Sequence, residues 1–346
     1  MFAHEEVVIR AGVRTGLPII IAVHSTVLGP AGGGCRVRHY ADWRDGLTDA
    51  LRLSQAMTDK CAIAGLDTGG GKTVVALPEG YTFTPERRRD MLHDVADVVH
   101  SLRGRYATAP DVGTGPQDMA VIKERTPHVF CTPTELGGSG DSSPATATGV
   151  MAALAAVCAR LDKGAVLKTA PLKGRRVGVL GLGHVGSHLV RRLAAEGADI
   201  LAADVDRAKK GLATEVGATW LTPDELVGAE LDILVPAAMG GLLTEELVPR
   251  LTCAAVAGPA NNQITTPEVA RLLHERGILW APDDIVSAGG AIYAHAVELR
   301  HLPAEEANAR VAEIAERLGD VLDLAEQDGV SPYFTVREIA RIRLGR

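Results

Sequence analysis

Residues 176–186 read RVGVLGLGHVG, and this short stretch restricts the fold more than any other part of the chain. An apolar strand runs into Gly181, Gly183 and Gly186, and a helix follows over about 187–196. A glycine triplet alone is weak evidence. Here a second strand ends at Asp204, roughly 20 residues beyond Gly181, which is the layout of a dinucleotide-binding βαβ unit. Gly181 permits the tight turn, Gly183 lets backbone approach a pyrophosphate, and Gly186 lets helix and strand pack closely. The backbone of Leu182, His184 and Val185 completes the turn, and the helix start offers N–H groups and a favourable dipole to the anion. The His184 side chain is read as solvated, with no chemical role. Asp204 can accept from the ribose hydroxyls and repels a 2′-phosphate, so NAD is favoured, although Arg207 and Lys209 leave room for NADP. The plain alternative is a glycine-rich βα turn without a ligand. Strand, helix and acidic residue together make it the weaker reading.

Around this unit the pattern predicts an α/β protein. Strand candidates at 176–180, 199–203, 232–236, 253–257 and 278–280 alternate with helices, the signature of a parallel sheet. At roughly 150 residues per domain, a chain of 346 residues has two domains. The clearest boundary is GGSGDSSP at 137–144, flexible in composition and read as a hinge. Upstream, 18–24 predicts a strand, 29–34 a glycine-dense loop, and Asp42 the cap of a helix running to about 60. Glycines 69–71 with Lys72 interrupt the chain before a strand at 74–77, and a helix spans about 86–104. An Ala-rich helix covers about 145–161. The C-terminal stretch reads helical, with Val311, Ile314, Leu318, Val321 and Leu322 as an apolar stripe. The expected domains are 1–140 for substrate and catalysis, with part of the C-terminal helical segment, about 311–346, returning to it, and 141–310 for the dinucleotide.

Composition excludes several classes. A net charge of −7 argues against a nucleic-acid binder. Five cysteines without a Cys-x-x-Cys pair argue against a disulfide framework or a structural zinc site, and fit a reducing compartment. No basic, apolar leader opens the sequence, and no uninterrupted apolar run reaches the roughly 18 residues of a membrane span. The expectation is a cytoplasmic protein with no membrane and no metal.

The upstream half must then carry the chemistry. Lys60 stands at a helix end, Lys72 follows three glycines, and Asp111 lies in APDVG at 109–113. Most lysines are solvated. Lys72 differs because its neighbours are small or apolar and the glycines allow a ligand close to the backbone. A desolvated lysine has a lowered pKa and works as acid or base near neutrality. GKT at 71–73 invites a phosphate-loop reading, but that motif needs glycine at 66, where Leu66 stands.

Taken with these residues, the sequence resembles the glutamate/leucine/phenylalanine/valine dehydrogenase family, most closely its leucine and phenylalanine branch. The matching stretches are LGPAGGGCR at 28–36, DALRL at 49–53, MTDK at 57–60, AGLDTGGGKT at 64–73, TAPDVGT at 108–114, the glycine turn, ANNQ at 260–263 and APDDIVSAGG at 281–290. They occur in family order along nearly the whole chain. The resemblance implies two domains, a substrate domain and a Rossmann domain, closing on a cleft. It implies that Lys60, helped by Asn262, binds the substrate α-carboxylate, with Gly33 beside it. Lys72 is implied as the catalytic lysine and Asp111 as the proton shuttle to the substrate nitrogen. Thr146 would hold the nicotinamide amide, and Asn261 would lie near its ribose. The implied reaction is reversible oxidative deamination of an L-amino acid to a 2-oxo acid and ammonia by a homo-oligomer.

In the glutamate branch a lysine before the Gly33–Gly34 pair holds the side-chain carboxylate of the substrate. Gly32 stands here, so an apolar substrate is expected. Leucine dehydrogenases carry a bulky leucine at that position. Gly32, with the small Ala109, Ala291 and Ala294, enlarges the expected pocket towards phenylalanine or another bulky side chain. Leucine or valine is the alternative. Ser287 replaces the asparagine usual before Ala-Gly-Gly. Two other readings remain at this stage, a hydroxy-acid dehydrogenase and a non-catalytic NAD-binding protein. Neither needs Lys60, Lys72 and Asp111 together.

Overall fold

The computed structural model describes residues 3–162, 170–238 and 240–345. They form two units. The first runs to Ser142 and takes in Ala294–Pro303 and the residues from Ala340 onward; the second comprises Ser143–Tyr293 and Ala304–Ile339.

The first unit is built from β1 (Glu6–Ala11), β2 (Pro18–Ser25), β3 (Ala31–His39), α1 (Trp43–Ile63), β4 (Gly69–Leu77), α2 (Pro85–Ser101), β5 (Tyr106–Pro110) and α3 (Pro116–Lys123). Its sheet has the order β1-β2-β4-β3-β5; β2 is antiparallel to β1 and β4, while β3 is parallel to β4 and β5. Successive side chains on a strand point to opposite faces. Ile19, Ile21, Val23, Val75 and Val37 therefore join Met91, Val95 and Val99 of α2 in one core. Ile20, Ala22 and Val74 cover the other face against Ala50 of α1. Asp42 caps α1, its carboxylate accepting from the Arg44 N–H at 2.8 Å, as its sequence position predicts.

Both glycine runs differ from their expected place. Residues 31–34 open β3 and 69–71 open β4, so neither run is a loop or an interruption. Glycine is ordinarily weak in a strand. Here close approach of backbone requires it. A Cβ on Gly33 would stand 1.8 Å from the Gly71 carbonyl oxygen, and one on Gly70 would stand 2.1 Å from the Thr58 nitrogen of α1.

The second unit continues with α4 (Ser143–Leu161), β6 (Arg176–Leu180), α5 (His184–Ala195), β7 (Asp199–Ala203), α6 (Lys210–Glu215), β8 (Thr219–Trp220), α7 (Pro223–Val227), β9 (Leu231–Pro236), β10 (Cys253–Val256), α8 (Pro267–Glu275), β11 (Leu279–Trp280), α9 (Asp283–Val286), α10 (Gly289–Ala294), α11 (Ala304–Ala312), α12 (Ile314–Asp328) and α13 (Pro332–Arg343). Its six strands are all parallel in the order β11-β10-β9-β6-β7-β8, the doubly wound arrangement. The short β8 is absent from the sequence reading; two residues are too few to show a period.

Much of the C-terminal helical segment belongs to this second unit, contrary to the expected return of 311–346 to the first. The stripe of α12 packs on α4. Gly149 of α4 makes this possible, since a Cβ there would stand 2.7 Å from Ile314 Cδ1. Only 294–303 and the residues from 340 onward group with the first unit. Among the described residues α4 is also the one helix long and apolar enough to cross a membrane. Its Ala147, Val150, Leu154 and Val157 are fully buried, and α5, α11 and α12 cover it. A core helix meets the same length and composition test as a membrane span.

Candidate functional site

Alternation along the first sheet sets one face for chemistry. Lys72 and Val74 of β4 share a face, and Arg36 of β3 has its Cα opposite that of Val74. Lys72 is buried, and its Nζ lies 2.7 Å from Oδ2 of Asp111, just past the end of β5. Arg36 Nε reaches the same Oδ2 at 2.9 Å. Arg36 Nη1 meets Asp49 Oδ2 of α1 at 2.8 Å, and Asp49 also accepts from the Tyr40 hydroxyl and from Arg52, each at 2.8 Å. Gly34 leaves the space for this cluster: a Cβ there would stand 2.7 Å from Asp111 Cβ and 3.2 Å from Lys72 Nζ. Thr114 steadies the loop, its hydroxyl taking the Asp111 N–H at 3.0 Å.

The electrostatics suit proton transfer. Burial pushes Lys72 below the ordinary lysine value, and the Arg36 charge adds to this against the pull of Asp111. Burial alone would raise Asp111, but Lys72 and Arg36 outweigh it and hold the carboxyl at about 2. A lysine eased towards its neutral form therefore faces a carboxylate held as an anion.

The structure places Gly32, Gly33 and Ala109 beside these groups. Gly33 and Gly34 pair with Thr108 and Ala109 of β5. A Cβ on Gly32 would meet only the Thr68 methyl, at 3.1 Å. Lys60 is buried in the last turn of α1, the helix that packs on β4. Under the strand, Tyr106 donates to the Gly33 carbonyl at 2.9 Å and accepts from Thr73 at 2.9 Å, which fixes the glycine backbone. Arg36, Asp49 and Tyr40 join the site without a role expected from the sequence. The available signal was Arg36 two residues beyond Gly34, a spacing that puts both on one strand face.

The second unit holds the dinucleotide turn. Gly181 has φ +105°, and a Cβ there would meet the backbone of Ala237 and Ala238 at 2.8 Å. A Cβ on Gly186 would stand 2.0 Å from the Gly181 carbonyl oxygen. Gly183 precedes α5 with open space around it and no capping side chain, and His184 is exposed. Leu182 donates its N–H to Asp204 Oδ2 at 2.6 Å, and Asp206 donates to Oδ1 at 2.8 Å. The turn lies between β6 and β7, next to β9, where the strand order reverses. An uncapped helix start, an open glycine and a fixed carboxylate fit a nicotinamide dinucleotide.

Nearby loops of this unit gather the other expected residues. Asn262 has φ +54° and donates its N–H to Asp283 Oδ2 at 2.7 Å. Its side-chain Oδ1 is buried without a partner, as suits an atom that meets a ligand. The Ser287 hydroxyl lies 3.4 Å from Asn261 Oδ1 and 2.5 Å from the Asp283 carbonyl. A Cβ on Gly289 would stand 3.1 Å from Cα of Thr146, in the first turn of α4. Ala291 lies in α10 within this unit, whereas Ala294 at its end groups with the first. The five cysteines are free and buried, and the described residues contain no metal-binding cluster.

Comparison with known proteins agrees. A family model described as the dimerisation domain of Glu/Leu/Phe/Val dehydrogenases matches residues 3–128, and one for Glutamate/Leucine/Phenylalanine/Valine dehydrogenase matches 203–333. The chain is 36% identical to a leucine dehydrogenase of Thermoactinomyces intermedius, covering 99% of this chain and 91% of the relative. It is 40% identical to a valine dehydrogenase of Streptomyces virginiae, covering 99% and 94%. The crystal structure of L-tryptophan dehydrogenase from Nostoc punctiforme superposes with TM-score 0.78 at 32% identity, over 99% of this chain and 96% of that one. That of a hetero-hexameric glutamate dehydrogenase from Thermus thermophilus gives 0.81 at 25% identity, over 99% and 88%. The chain belongs to the glutamate/leucine/phenylalanine/valine dehydrogenase family and is an amino-acid dehydrogenase.

Proposed function

We propose that this enzyme oxidatively deaminates an apolar L-amino acid with NAD, and that a bulky side chain, phenylalanine first, suits it best. The observation that carries the reaction is the buried Lys72–Asp111 pair at 2.7 Å beside the glycine strand. When bound at the turn of Gly181, Gly183 and Gly186, the nicotinamide supplies the acceptor for the α-hydrogen as hydride. Asp204 would take the ribose hydroxyls, and Thr146 and Asn261 would orient the nicotinamide end.

The remaining steps fall to the chain. Lys60 and Asn262 hold the α-carboxylate. Neutral Lys72 takes a proton from water as its oxygen bonds to the imino carbon, and the resulting ammonium stabilises charge on that oxygen. Asp111 accepts a proton from the substrate ammonium before the α-hydrogen leaves and returns it to the amino nitrogen of the carbinolamine; as the C–N bond breaks, the hydroxyl proton passes to the departing ammonia, which leaves as ammonium. The Asp111 carboxyl is held at about 2 with both cations in place, and the neutral state of Lys72 removes one of them.

Gly32 supports the substrate reading, since its side of the strand meets only the Thr68 methyl. The leucine and valine dehydrogenases among the relatives favour smaller aliphatic substrates as the second reading. A homo-oligomer is also proposed, because the matched N-terminal model is that of a dimerisation domain. The test is NADH formation by the purified protein with a panel of L-amino acids. Phenylalanine or tryptophan above leucine and valine supports the whole reading. Leucine or valine first keeps the reaction and rejects the enlarged pocket.

A further inference from the structure

The mechanism needs Asp111 to be an anion, ready to accept the substrate's proton, at the stage when Lys72 is neutral. An isolated pair resists this, since at 2.7 Å each partner holds the other in its charged form. A second cation is present. Arg36 donates Nε to the same Oδ2 at 2.9 Å, and a guanidinium does not deprotonate in proteins. Its Nη1 is tied to Asp49 at 2.8 Å, and the Arg36 and Asp49 side chains are only 11% and 14% exposed. Asp49 is in turn held by Tyr40 and Arg52. The brace therefore comes from α1 and β3 and not from the loop that carries Asp111.

We propose that Arg36 is a positioning residue for this reaction: braced on Asp49, it fixes the Asp111 carboxylate for proton transfer and keeps it ionised while Lys72 is neutral. This rests on the roles given above to Lys72 and Asp111. The planar fork of an arginine spans two carboxylates at once, which a lysine ammonium does not. The charged or titratable groups facing the cluster are Lys72 from β4, Asp111, Asp49 and Arg52 from α1, Tyr40 before it, and Cys35 from β3. Burial pushes the Cys35 thiol up to about 12, so it stays neutral. Arg36 lowers both Lys72 and Asp111. It thus separates two titrations that would otherwise lock together.

The experiment compares kcat and KM against pH for the whole enzyme and its Arg36→Lys, Arg36→Gln, Asp49→Asn and Asp111→Asn variants, using NAD and the best amino acid. Arg36→Gln removes a charge that repels the Lys72 proton. Its rising limb should move to higher pH, with kcat down about 10–100-fold and KM little changed. Arg36→Lys keeps the charge without the bridge, so kcat should fall while the limb stays in place. If Arg36→Gln does not fold by circular dichroism, Arg36→Lys and Asp49→Asn carry the test, and both should lower kcat at constant KM. Wild-type kcat in the folded Arg36 variants, or an Arg36→Gln limb that does not move, overturns the proposal. An active Asp111→Asn enzyme overturns the reading of Asp111 itself. An inactive one beside a wild-type-like Arg36→Lys removes only the role of Arg36.

Discussion

Gly33 and Gly71 lie so close across β3 and β4 that a Cβ on Gly33 would stand 1.8 Å from the Gly71 carbonyl oxygen. The contact is with backbone, which no rotamer change relieves. Gly33→Ala must push the two strands apart next to Lys72 in β4. We expect a loss of about 3 kcal/mol or more, at the upper end of overpacking effects, or failure to fold. Urea unfolding of the variant beside the parent measures it, and a change under about 0.5 kcal/mol would contradict the geometry.

Gly32, one residue away, behaves differently. Its added Cβ meets a single methyl, from Thr68, at 3.1 Å. Gly32→Leu should fold and place a large side chain over the substrate. The ratio of kcat/KM for phenylalanine to that for leucine should then drop about tenfold or more, the scale of one or two methylenes in an apolar pocket. An unchanged ratio would place Gly32 away from the substrate side chain.

The lowered pKa of Lys72 fixes the direction of the pH dependence. A group that acts in its neutral form gains activity as pH rises, and burial brings that rise below the ordinary lysine value of 10.5. The kcat/KM profile should show its rising limb there, and Lys72→Ala should lose about 10²–10⁴-fold of kcat while still binding NAD, by titration calorimetry.

Asp111 carries a stability term of defined sign. Its folded pKa of about 2 lies below the ordinary aspartate value of 3.8, so the ion pair stabilises the fold above that value and the contribution disappears as pH falls towards 2. Denaturant curves of wild type and Asp111→Asn should therefore differ most above pH ~4 and converge in acid. A constant gap over that range would show that the carboxylate is not held by its two cations.

Asp204 does two jobs, accepting the Leu182 N–H at 2.6 Å and carrying negative charge beside the dinucleotide turn. Asp204→Asn keeps an acceptor for the turn but removes the charge that repels a 2′-phosphate. The NADP-to-NAD ratio of kcat/KM should rise about tenfold, equivalent to ~1.4 kcal/mol. No rise would remove Asp204 from cofactor selection.

The parallel sheet after residue 170, the glycine turn, the cap of α1 at Asp42 and the family are legible along the chain. Each of these is a local pattern, in which a period, a glycine at a fixed offset or a capping side chain acts within a few residues. The rest depends on neighbours far apart in the chain. The glycines at 32–34 and 69–71 read as loops because their reason for being glycine lies on a neighbouring strand or helix. The stripe of α12 shows that it packs, but Gly149 and Ile314 decide on which unit. Arg36 and Asp49 are ordinary charged residues along the chain, and Lys72 is marked there only by its small and apolar neighbours. They become one buried cluster only when β3, β4 and α1 bring them within hydrogen-bond reach, where loss of solvent makes each charge depend on the next.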